Sequence, residues 1–156
     1  SDMGDFGSLS VDDSSAVTAG PIGNSGEYVP LNTSKLVGDS TTTSTTYTQA
    51  GANKDRIPVD LDAFDLTNIS SLHASYTTQV RGDTDGQDLS TRLVVGGAVE
   101  GTEIVTNTPS FTQISSAIAP IPVDSGIQWV NMQYKVSEGS GGFFTPVFVT
   151  LWGELA

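Results

Sequence analysis

The chain has 156 residues, which suits a single domain with a core of its own, and it has no cysteine, which excludes disulfides, thiol chemistry and cysteine-held metals. Eighteen acidic residues face six basic ones for a net charge of −12, although only 15% of residues are charged, so the imbalance comes mainly from missing Lys and Arg. Such a surface repels nucleic acid and anionic membrane and suits a protein living in high salt, where screening relieves self-repulsion.

Residues 1–26 are rich in Gly, Ser and Asp, and their composition predicts an extended N-terminal arm ahead of a β-domain spanning 27–156. Val, Ile and Thr make up 42 residues while Glu, Lys and Gln make up 14, so the remainder reads as all-β. The Ser/Thr tract Thr41 to Thr48 reads as an exposed strand or a loop. Arg56 to Asp62 puts Ile57, Val59 and Leu61 on one face of a strand, and Ala63 to Ser71 offers one helical turn with Asp65 or Thr67 as its cap. Leu72 to Val80 alternates strictly, with Leu72, Ala74, Tyr76, Thr78 and Val80 on one face and His73, Ser75, Thr77 and Gln79 on the other. Asp83-Thr84-Asp85-Gly86 reads as a turn leading into a second alternating strand, Leu89 to Val95, which Gly96-Gly97 ends. Glu103 to Thr106 and Ser110 to Ser115 are shorter strands divided by Asn107-Thr108-Pro109.

Val130, Met132, Tyr134 and Val136 form the apolar face of a late strand, and the glycine-rich run Glu138 to Gly142 is a hairpin loop. Phe143 to Leu155 is the most apolar strand and belongs inside a sheet, because a strand wet on one face would show clean polar alternation. Its Val147, Val149 and Leu151 are expected in the core; Phe148 and Trp152 are expected against a neighbour or the arm. Pro146 has no amide to donate, so pairing is expected to begin after it or to leave that position unbonded. About eight strands with no crossover helix select an antiparallel sandwich, and the expectation is a single jelly roll. The longest uncharged stretch, Ile104 to Val123, is broken by three prolines and does not suit a membrane span.

His73 is the sole histidine, and no Gly-x-Ser-x-Gly elbow accompanies it, so it reads as a surface or interface residue and the catalytic list stays empty. Asp83, Asp85 and Asp88 resemble the first half of a calcium loop, but Arg92 stands where the closing Glu belongs; a hairpin turn is the favoured reading, and no metal or cofactor is expected. Arg81-Gly82-Asp83 fits the same turn. The sequons at Asn32 and Asn68 read as polar turns. Trp129 stands opposite Val130 and Met132, which makes it either an interface anchor or part of a second core layer. The expected interface residues are Phe6, Leu9, Trp129, Phe148 and Trp152.

An acidic, lysine-poor, cysteine-free β-chain closing on Phe148-Val149-Thr150-Leu151-Trp152-Gly153-Glu154-Leu155 resembles the single jelly-roll shell proteins of viruses that infect halophilic archaea. The resemblance implies a non-catalytic coat, penton, turret or decoration subunit in a virion. Its partners would be copies of itself and other capsid subunits, with neither nucleic acid nor membrane insertion. The alternative is an extracellular ligand- or carbohydrate-binding jelly roll, with or without calcium.

Overall fold

The computed structural model describes residues 23–36, 40–49, 56–82 and 87–156. Phe6, Leu9 and most of the predicted arm lie outside them, as do Asp83 and Asp85. The described elements are β1 (Tyr28–Leu36), β2 (Ser40–Thr42), β3 (Thr48–Gln49), β4 (Ile57–Asp60), β5 (Ile69–Arg81), β6 (Leu89–Val95), β7 (Ala98–Thr106), β8 (Thr112–Ser115), β9 (Ala119–Pro120), β10 (Ile127–Val136) and β11 (Gly141–Leu155).

These strands form two antiparallel sheets packed as a jelly-roll sandwich. In the first sheet β11 and β5 are central; β1 and β2 lie end to end along the outer side of β11, and β8 and β9 along that of β5. In the second, β10 and β6 are central, with β3 and β4 flanking β10 and β7 flanking β6. Three of the eight lanes are thus split in two. The break between β8 and β9 falls at Ser116, whose hydroxyl receives the Tyr76 amide at 2.9 Å in place of a regular ladder partner.

Period-two patterning explains which side chains fill the space between the sheets. Leu72, Ala74, Tyr76 and Val80 of β5, with Val147, Val149 and Leu151 of β11, pack against Leu89, Leu93 and Val95 of β6 and Val130, Met132, Tyr134 and Val136 of β10. Two phenols cross the core: Tyr76 shares a 2.8 Å hydrogen bond with the Thr91 hydroxyl, and Tyr134 donates to the Thr41 carbonyl at 3.0 Å. Each ties one sheet to the other and satisfies a polar group that burial would otherwise penalise. Burial pushes the Tyr76 phenol up to about 12.

The closing strand is central, as its composition required. Its pairing with β5 shifts between Phe144 and Phe148, so the chain bulges across Pro146, the residue with no amide to offer. Gly96 and Gly97 (φ 64° and 84°) make the tight β6–β7 turn in a region that side chains disfavour. One local expectation fails. Among the described residues the helical turn is a 3-10 turn at Leu61–Ala63, capped by Asp60, and not a turn within 63–71. Asp65 instead accepts from the Thr67 amide and hydroxyl at 3.1 and 2.6 Å, closing a polar turn that competes with helix.

Candidate interaction faces

Directly opposed residues of antiparallel strands point to the same side, so the register reads out the outer surface of the first sheet row by row. At one end Tyr28 stands beside Glu154, which stands beside Ser71; next comes Pro30, Trp152, His73 and Pro120. Thr33, Thr150 and Ser75 follow, then Lys35, Phe148, Thr77 and Ser115. Phe148 is 42% exposed and Tyr28 41%, and Trp152 lies half-buried between them, its indole donating to the Ser75 hydroxyl at 2.9 Å. Phe148 and Trp152 therefore share one outward face, and Val147, Val149 and Leu151 share the core face.

His73 departs from the expected surface position. It is 7% exposed, because Trp152 and Pro120 flank it and the Tyr28 ring packs edge-on with centroids 4.8 Å apart. Its Nδ1 has no hydrogen-bond partner among the described residues. Tyr28 was missed by sequence reasoning, because the signal is a register match with a strand more than a hundred residues away.

The outer face of the second sheet is different in character. Trp129 is 42% exposed, with the Arg56 guanidinium 4.4 Å above its ring; Ile127 is exposed two residues earlier on the same strand, and Val99 and Val105 are exposed on β7, opposite Val94 and Ser90. The same face carries charge. The Tyr47 ring is covered by the Arg92 guanidinium at 3.7 Å and the Lys135 ammonium at 4.7 Å, and its hydroxyl donates to Glu103. Burial and then the Glu103 carboxylate push the Tyr47 phenol well above its ordinary value. Trp129 and the Phe148/Trp152 pair, grouped by the sequence as interface residues, thus sit on opposite faces of the sandwich.

Grooves are shallow. One of about 380 Å³ runs between β1 and β4 beside Thr33, Lys35, Pro58 and Phe64, and one of about 310 Å³ lies against Ser90, Glu103 and Lys135. Among the described residues no three His, Asp or Glu side chains gather to hold a metal, and no helix is long and apolar enough to cross a membrane. Asn32, expected in a turn, instead lies half-buried within β1, paired opposite Leu151 and donating to the Ser34 hydroxyl, whereas Asn68 is exposed in a turn as expected.

No protein-family model matches the chain, and no curated protein does. Among solved structures it is similar to the CBM36-1 domain of a multidomain xylanase from the hindgut metagenome of Trinervitermes trinervoides, at 8% identity and a TM-score of 0.43, covering 76% of this chain and 96% of that one. It is also similar to a chain of infectious bursal disease virus Gx strain, at 11% identity and a TM-score of 0.44, covering 94% of this chain but only 40% of the viral one. A third likeness is to the C-terminal CBM6 of LamC, a marine laminarinase from Zobellia galactanivorans, at 16% identity and a TM-score of 0.39, covering 76% of this chain and 99% of that one. These are likenesses of fold.

Proposed function

We propose that this chain is a non-catalytic structural subunit that assembles with copies of itself and with other subunits into a shell, as a virion coat, penton, turret or decoration protein does. One observation carries the reading: large apolar side chains are exposed on both outer faces of the sandwich, Tyr28 and Phe148 on one and Ile127, Trp129, Val99 and Val105 on the other. A module that captures one ligand needs a single concave surface with converging polar groups, whereas a subunit held between neighbours needs contact surface on opposite sides. The charge balance adds the setting. With net −12 such subunits meet only where salt screens them, which fits an extracellular particle in a saline environment. The arm at 1–26 then contributes contacts to assembly and little to the fold.

The alternative, an extracellular carbohydrate-binding jelly roll, draws on the exposed rings of Trp129 and Tyr28 as stacking platforms. Light scattering and electron microscopy of the purified chain in molar salt, beside calorimetry against a glycan panel, decide between the two. Concentration-dependent oligomers without glycan binding are expected. A monomer at every concentration that binds a glycan at micromolar affinity would overturn the assembly reading.

A further inference from the structure

We propose that the outer face of the first sheet is a two-fold dimer surface, and that its occupant is the same face of a second copy. The inference rests on the assembly reading and deepens it by naming the first contact. Across the Val147–Leu155 span, the strands β1, β5, β8, β9 and β11 carry two charged residues, Lys35 and Glu154, in a chain with eighteen acids. The other face carries Arg92, Lys135, Glu103 and the Arg56–Trp129 stack. Depletion of charge around exposed aromatic rings is what distinguishes the centre of a protein interface, and it matters most in a subunit that otherwise repels its own copy.

The arrangement of the two charges selects the geometry. Lys35 stands beside Phe148 at one end of the span, and Glu154 stands beside Tyr28 at the other, so the face is bipolar along the strand direction. A two-fold axis lying in the interface and running across the strands reverses that direction. It sets Lys35 of the second copy against Tyr28 and Glu154, Phe148 of the second copy beside the same end, and Trp152 over Thr150 of the second copy, each contact occurring twice. An axis along the strands would instead bring the two lysines to one end and the two glutamates to the other. Four lanes about 4.8 Å apart and the span's length at about 3.3 Å per residue make a face of roughly 19 by 30 Å. Two such faces reach the ~1,000 Å² that a specific interface requires.

The test is sedimentation equilibrium at one fixed moderate salt concentration, with circular dichroism confirming that each variant folds. Wild-type chain is expected to dimerise, and Phe148→Glu to weaken the dimer at least ten-fold. Glu154→Lys is the diagnostic variant. It lowers the net negative charge and would strengthen association driven by bulk charge, but it sets lysine against Lys35 of the second copy and is expected to weaken the dimer. Lys35→Glu is expected to weaken it too, and the double exchange Lys35→Glu/Glu154→Lys to restore it to within about three-fold of wild type. A dimer unaffected by Phe148→Glu, strengthened by Glu154→Lys, or not rescued by the exchange overturns the inference. If Trp129→Ala abolishes association while these variants leave it intact, the dimer falls and the assembly reading stands. If the chain stays monomeric in molar salt at every concentration, both fall.

Discussion

Val149 and Phe148 are neighbours in the chain with opposite environments, and truncating each to alanine should separate folding from association. Val149 is 1% exposed and packs in the cluster between the sheets. Removing its two methyls forfeits about 1.6 kcal/mol of transfer free energy, and the cavity left in a close-packed core brings the cost to about 2–3 kcal/mol. For a domain of this size that lowers the melting temperature by about 5–10 °C. Phe148, in contrast, stays 42% exposed, so roughly 80 Å² of its surface is free to be covered by a partner. At ~25 cal/mol per Å², covering it in both copies of a two-fold dimer is worth up to about 4 kcal/mol, or about a thousand-fold in Kd. Its truncation should cost the monomer less than about 1 kcal/mol, the span of strand propensity. Melting at a concentration where the chain is monomeric, paired with sedimentation at high concentration, measures both effects. If Phe148→Ala melts lower than Val149→Ala, or Val149→Ala weakens association with unchanged melting, the assignment of the two faces is reversed.

Tyr76→Phe leaves the Thr91 hydroxyl buried without its partner, so chemical denaturation should report a loss of about 1–2 kcal/mol; a neutral result would mean Thr91 finds another partner. Because the folded Tyr76 phenol is raised to about 12, its contribution is complete below the unfolded value near pH 10 and is lost as pH rises from there toward 12. Stability measured across pH 9–12 should fall over that window, and Tyr76→Phe should flatten the fall; an identical profile in the variant would show that the drop arises elsewhere. Finally, melting should rise from dilute buffer to molar salt as screening relieves the net −12 charge, and a melting temperature independent of salt would refute the halophilic setting.

The architecture was legible because this core is built by alternation alone. Leu72 to Val80, Leu89 to Val95 and Val130 to Val136 each place a period-two apolar face against the other sheet, and turn residues divide them. The two-faced closing strand announced a central lane, whereas pairing with β5 runs on both sides of Pro146 and shifts register across it instead of beginning after it. What escaped depends on register between distant strands. His73 sits at a polar-face position by alternation, yet Trp152, Pro120 and Tyr28 bury it, and no local pattern brings those three together. The separation of Trp129 from Phe148 and Trp152 likewise required knowing that β10 and β11 belong to different sheets. Tyr47 reads as one residue of a Ser/Thr tract, and its two cations come from β6 and β10.

The pairing of β1 with β11 also constrains how the protein comes to be folded. Val29 lies opposite Gly153, and the Gly26 amide meets the Leu155 carbonyl at 2.8 Å, so β1 finds its ladder partner only after the whole of the sequence between them has been made. Until then the edge of β1 and the apolar faces of β5 stay open to whatever else is nearby, and closing so long a loop makes folding slow. In a cell synthesising many copies at once, the nearest complementary strand belongs to another chain, so strand exchange between nascent subunits competes with each subunit closing on itself.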